Sequence, residues 1–323
     1  MDLDGREPFL VQMSSNPALT VIVVADNYRE RTQRLLRGLL DQDVADQIRV
    51  MVFDRADDAK PDLPEFGDPK VFYEAVNKTL TLGQLQKNAT LTTTTEIIAF
   101  IEEHVTVPPG WARESLRLHA QGYTGVTGSF DAGNPRHRTA RVIFSITYGS
   151  YLLPSGAGET TQMPGDNSSF IRSKLLKYED DLEVLFNNDT LLMWRLIGDG
   201  EKLYRANFKL KHWNEDRFWD GWIALFWWNQ MYICNRVALE KWGMLHRVAR
   251  FLATPLAACV RSFKSYRQAR RNGLEMKQFF ADLPLLFLYH TGSVLGIATG
   301  LLLGPQQSEI KFTECETRAR RAD

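Results

Sequence analysis

An excess charge of either sign is missing: the 323 residues carry 39 Lys plus Arg against 39 Asp plus Glu, a formal net charge of zero. A neutral chain has no global attraction for a polyanion, so nucleic acid is not an expected partner. Cysteine is scarce, and Cys234, Cys259 and Cys315 are odd in number and far apart. That spacing excludes a disulfide framework and a cysteine metal site, and fits a reducing compartment. The first 18 residues carry acids where a secretory signal carries bases and lack a continuous apolar core, so a flexible leader is expected and no export signal. Long apolar runs are rare too; residues 283–304 provide one, 22 residues without Asp, Glu, Lys or Arg. With 44% hydrophobic residues the chain can still bury a sizeable core.

What is present is a repeated pattern of apolar strands running into acids. Residues 19–24 (LTVIVV) predict a β-strand, broken at Asp26 before Leu35, Leu36, Leu39 and Leu40 recur at helical spacing. A second strand at 48–53 runs into Asp54, a short third follows at 71–73, and 83–94 reads as a helix. The strand at 97–101 then delivers Glu102-Glu103-His104, followed by the Pro108-Pro109-Gly110-Trp111 turn. Alternating strands and helices predict an α/β fold with a mostly parallel sheet, and ligands of such sheets bind at the carboxyl ends of the strands. Glu102 and His104, two apart on an extended chain end, can share a divalent cation, Mn2+ or Mg2+, which in turn can hold a diphosphate. A solvated strand end is the alternative reading of the same residues.

Several blocks in this order resemble family 2 glycosyltransferases. Residues 20–43 resemble the family's opening strand, turn and helix, and Gly83, Lys87, Asn88 and Ala89 match the segment leading to its Asp-x-Asp motif. In place of Asp-x-Asp stands Glu102-Glu103-His104, similar to a bacterial branch with Glu-Asp-His followed by Pro-x-Pro-Gly-Trp. Residues 165–172 (GDNSSFIR) resemble the segment lining the sugar pocket, while their bland reading is an Asx turn capping a helix. Residues 186–196 resemble the block whose Asp is the catalytic base; Asn188 replaces the family's Glu, and Asn-Asp at a helix start also reads as a cap. His212 resembles the distal metal ligand, against the alternative of a structural histidine beside Trp213.

The resemblance implies a GT-A nucleotide-sugar-binding domain over 19–215 and, more loosely, a helical membrane-associating region over 216–304, while the polar residues 305–323 read as a disordered tail. It assigns Asp189 as base, Asp26, Asp54, Lys87 and Glu102 to the nucleotide, and Glu102, His104 and His212 to the metal. It places Trp111, Asn167, Ser168, Ser169, Asn188, Trp194 and Arg195 around the sugar and acceptor. The implied activity is inverting transfer of a sugar from a nucleotide-diphosphate donor to the hydroxyl of a glycan or lipid-linked acceptor, at the cytoplasmic face of a membrane. A non-catalytic binder or scaffold of the same fold, or a metal-dependent phosphohydrolase, are the competing classes. The Pro-, Gly- and Ser-rich residues 154–165 read as a flap over the site or an ordinary surface loop.

The C-terminal third differs in character. Phe218, Trp219, Trp222, Phe226, Trp227, Trp228 and Tyr232 crowd one stretch, and bases from Arg247 to Lys277 alternate with apolar residues in a pattern suited to an anionic lipid surface. Gly292, Gly296, Gly300 and Gly304 recur every four residues, a smooth stripe that another helix can approach, which raises a homo-oligomer through the C-terminal helices. Residues 283–304 therefore read as a membrane span, a re-entrant or interfacial helix, or a buried hairpin.

Overall fold

The computed structural model describes residues 17–26, 29–55, 63–151, 157–214, 217–271 and 275–317. Nearly all of the expected leader and the start of the 154–165 loop lie outside them. Among the described residues nine strands follow in order: β1 (Leu19–Ala25), β2 (Ile48–Asp54), β3 (Val71–Ala75), β4 (Ile97–Phe100), β5 (Val105–Thr106), β6 (Gly125–Ala132), β7 (Gly158–Thr160), β8 (Ser168–Ile171) and β9 (Leu203–His212). They form one sheet in the order β3-β2-β1-β4-β8-β6-β9-β5, with β7 paired to β9. Every residue of β1 is buried, as a β-branched run without alternation requires of a central strand.

The sheet is mixed, which corrects the expectation of a mostly parallel one. β1 runs parallel to β2 and β4, and β2 parallel to β3, but β8 lies antiparallel between β4 and β6. The architecture remains α/β and broadly of the GT-A kind. An antiparallel neighbour needs no helical crossover, so the short β8 can enter the sheet straight from the loop before it.

Two compact units share the chain. The first takes in the described residues from 17 to 128 and from 157 to 210. In it the helix Leu82–Thr92 starts with a capping box, Thr81 Oγ1 accepting from Gln84 N while Gln84 Oε1 accepts from Thr81 N. Gly83 allows this helix a close approach: its N–H donates to Asn187 Oδ1 at 2.9 Å, and a Cβ there would sit 2.6 Å from the same oxygen.

The second unit comprises Ser129–Gly156 and Lys211–Arg318, so the helix Arg138–Thr147 joins the C-terminal helices. Val142, Ile143, Leu225, Phe279, Leu286 and Tyr289 form its buried core. The helix Met276–Leu303 is long and apolar enough to fit a single membrane-inserted helix, with half of its most apolar stretch buried within the chain. Its glycine stripe is filled from within, because Gly292 faces Trp222, Gly296 the Phe226 carbonyl and Gly300 Ile233, all on the helix Phe218–Leu239. Near its start Asp282 accepts from Arg141 at 2.8 and 2.9 Å and from Arg138 Nε at 3.1 Å. The expected disordered tail is corrected in part, since Ser308–Thr317 is a helix. Ser308, Thr313 and Cys315 are buried and Glu309 Oε1 accepts from Asn235 Nδ2 at 3.3 Å; tertiary packing supplies what this polar sequence lacks in its own pattern.

Candidate active site

Parallel pairing places three strand ends side by side. Ala25 of β1 stands opposite Asp54 of β2, and Ile22 opposite Phe100 of β4, so Asp26, Asp54 and Glu102 all lie at the carboxyl ends of adjacent strands. Asp26 is held by Arg55 in a bidentate pair, Nε to Oδ1 and Nη2 to Oδ2, both at 2.9 Å. Asp54 Oδ2 accepts from Arg29 Nη1 at 2.7 Å and from the Tyr73 hydroxyl at 2.6 Å. These holding residues were absent from the sequence reading, although Arg55 directly follows Asp54.

Glu103, the middle residue of the motif, turns inward. Its Oε2 accepts from Asp26 N at 3.0 Å and Thr32 Oγ1 at 2.9 Å, tying β1 and the following helix to the end of β4. Burial, with the nearby Asp26 charge, pushes its carboxyl up to about 8. Its neighbours remain half-buried, and His104 Nε2 lies 3.7 Å from Glu102 Oε1. Glu102 and His104 thus offer a carboxylate and an imidazole side by side in the first unit, while His212 is buried in the second. A carboxylate beside an imidazole is a mixed oxygen and nitrogen donor set that suits Mn2+ better than the all-oxygen preference of Mg2+, so these residues could chelate a divalent metal.

Asn167 orients the Glu102 carboxylate. It is fully buried, with φ 60°, a left-handed conformation that Asn tolerates better than most residues. Its Oδ1 accepts from Glu102 N at 3.1 Å and its Nδ2 donates to Glu102 Oε2. Two residues earlier, Gly165 N donates to Asp189 Oδ2 at 3.2 Å, and Thr190 N donates to Asp189 Oδ1 at 2.7 Å. Asp189 opens the helix Asp189–Gly198 and keeps part of its surface exposed. Surrounding protein raises its pKa above the ordinary aspartate value, those N–H groups oppose the shift, and the Glu102 charge adds to it. Gly165 is required at this point, because a Cβ there would lie 2.6 Å from that of Asp189.

The remaining expected site residues occupy different surroundings. Lys87 is half-buried on the helix Leu82–Thr92, next to Gln86, whose Nε2 donates to Asp166 Oδ1 at 2.5 Å. Trp111 opens the helix Trp111–Ala120 with its ring wholly buried in the core. Ser168 Oγ donates to Pro164 O at 2.7 Å, and Ser169 Oγ meets His119 Nε2 at 2.8 Å, both beneath the surface. Asn188 is buried at the cap position of its helix, yet its side chain makes no capping bond there and donates instead to Val184 O at 2.9 Å. Trp194 and Arg195 are exposed on that helix, with Arg195 3.5 Å from Asp181. His212 ends β9, its ring 4.2 Å from that of Tyr148.

No family model matches the chain, and no curated protein is similar to it in sequence. Solved structures similar to it include S. aureus TarS 1–349 in complex with UDP-GlcNAc, 14% identical over 87% of this chain and 89% of that one, at a TM-score of 0.48. The same protein in complex with UDP gives the same values, and a further crystal structure of TarS 1–349 gives 13% and 0.47 over the same coverage.

Proposed function

We propose that this protein is an inverting glycosyltransferase using a nucleotide-diphosphate sugar, with Asp189 as the base that takes the acceptor proton. The observation that carries the reading is the segment Gly165–Asp166–Asn167, whose first residue holds Asp189 and whose third holds Glu102. A proton acceptor and a cation-ligating carboxylate are thereby fixed by one short stretch of backbone. Glu102 and His104, with His212 as the third ligand that the family resemblance assigns, would hold a divalent cation, which when bound supplies positive charge against the diphosphate leaving group.

The chain's own residues account for the rest. Asp189 is oriented by two backbone N–H groups and raised in pKa, which makes its carboxylate a stronger acceptor for a hydroxyl proton than an ordinary aspartate. Asp26 and Asp54 are locked by Arg55, Arg29 and Tyr73, giving a rigid polar floor on which the base and ribose of the donor can be read. Lys87 lies on the helix Leu82–Thr92 as the candidate cation for the phosphates. Asn167 orients Glu102 from behind.

The test combines binding and turnover. UDP, GDP and CDP are titrated calorimetrically with and without Mn2+, and nucleotide release from the matching sugar donors is then followed with glycan and lipid-linked acceptors. Asp189→Asn should retain nucleotide binding and lose transfer; unchanged transfer removes Asp189 as the base. Binding without turnover across all donors and acceptors would favour the non-catalytic reading, which the occupied Asp26 and Asp54 carboxylates and the amide at Asn188 support. Release of product to water without any acceptor would favour a phosphohydrolase.

A further inference from the structure

One surface takes no part in this chemistry. The helix Met244–Arg271 turns Thr254 and Ala258 into its unit, along with two arginines. Arg247 Nη2 donates to the Leu301 carbonyl at 2.6 Å, and Arg261 Nη2 to Asn229 Oδ1 at 3.1 Å. Its opposite side is apolar and open: Leu245, Val248, Leu252, Leu256, Val260 and Phe263, spaced three or four apart, are 46–87% exposed. At 1.5 Å per residue that stripe runs for about 27 Å. The next turns of the same helix present exposed Lys264, Arg267 and Arg270.

Charge distribution separates this helix from the rest of the chain. Between positions 244 and 271 there are seven Lys and Arg and no Asp or Glu, in a protein whose overall charge is zero. At the helix's other end stands Trp242, with Arg236 5.0 Å and Arg250 5.3 Å from its ring, an aromatic and cation pair of the kind that seats at headgroup level. A contiguous apolar stripe of this length facing water marks an interaction surface. The adjoining cations specify its partner, because two copies of the same basic face repel each other whereas an anionic bilayer neutralises both.

We propose that the helix Met244–Arg271 lies in the plane of an anionic membrane surface, its apolar stripe among the acyl chains and Lys264, Arg267 and Arg270 against the phosphates. Exposed Phe280, Phe287 and Leu288 on the helix Met276–Leu303 extend the apolar surface. The full chain is sedimented with vesicles of phosphatidylcholine alone and of phosphatidylcholine with an equal part of phosphatidylglycerol. It should bind the mixed vesicles strongly and the neutral ones weakly. Replacing Lys264, Arg267 and Arg270 with Gln should lower partitioning to mixed vesicles about 100-fold, at about 1 kcal/mol for each basic residue, with an unchanged melting temperature. Leu252→Glu with Leu256→Glu should abolish binding to both; should that double variant fail to fold, the Gln variant, changed only at exposed polar positions, decides alone. Equal binding to the two vesicle types, or no effect of the Gln substitutions, overturns the proposal. So does a dimer in sedimentation velocity that the Glu substitutions dissolve while vesicle binding is absent, which would give the face to a second copy.

Discussion

Gly165→Ala tests the proposed base through geometry alone. Gly165 does not occupy the left-handed region, so alanine can adopt its backbone and the effect is steric. The new methyl would lie 2.6 Å from Asp189 Cβ, whereas ordinary carbon contacts begin near 3.4 Å, so Asp189 or the 165–167 segment must retreat by about 1 Å. That shift breaks or lengthens the 3.2 Å bond from Gly165 N to Asp189 Oδ2. Overpacking of this kind costs about 1–3 kcal/mol of stability, and a misplacement of about 1 Å at a reacting group costs about 100-fold in rate. Urea unfolding measures the first quantity and donor turnover the second. Gly158→Ala serves as the control, because a Cβ there meets nothing within 4 Å and both quantities should stay at wild-type values. A Gly165→Ala protein with wild-type turnover would refute the claim that Asp189 must sit where this loop puts it. Wild-type stability would refute the packing argument by itself, without reference to any substrate.

Other expectations follow from the same structure. Burial holds His119 neutral and lowers its pKa to about 4, so between its unfolded value near 6.5 and that value the unfolded chain binds the extra proton. Its contribution, about 3 kcal/mol, is complete above pH 6.5 and disappears as pH falls toward 4; urea unfolding at several pH values should show this slope, and His119→Gln should flatten it. Asn167→Ala removes both bonds that orient Glu102 and should weaken Mn2+ affinity about 10-fold by calorimetry. If Asp189 is the base, transfer should rise with pH through an ionisation above the ordinary aspartate value near 4; a rate that falls with rising pH through this range would count against it. Gly296→Val drives a side chain into the Phe226 carbonyl and should cost about 3 kcal/mol, read as a lowered melting temperature.

The sequence announced the strand ends and concealed what lies behind them. β1, β2 and β4 were legible because buried parallel strands are uniform apolar runs, and Asp26, Asp54 and Glu102 interrupt those runs abruptly. β8 was not legible: Gly-Asp-Asn-Ser-Ser reads as a turn, and only tertiary partners such as His119 for Ser169 let those polar side chains enter the sheet. The holding residues Arg55, Arg29 and Tyr73 were equally hidden, since pairing over 19 to 29 positions leaves no periodic trace. The glycine stripe was visible as spacing, but its occupant was not, because spacing alone cannot distinguish a helix of the same chain from one of a second molecule.

One residue separates Gly165 from Asn167, and a dipeptide step spans only about 7 Å. Under the proposed function, whatever draws the Glu102 carboxylate toward an arriving pyrophosphate would tug, through a tether too short to slacken, on the cradle of Asp189. Donor loading and readiness to deprotonate would then be geared together, and inserting a single residue at this point would let one turn without the other.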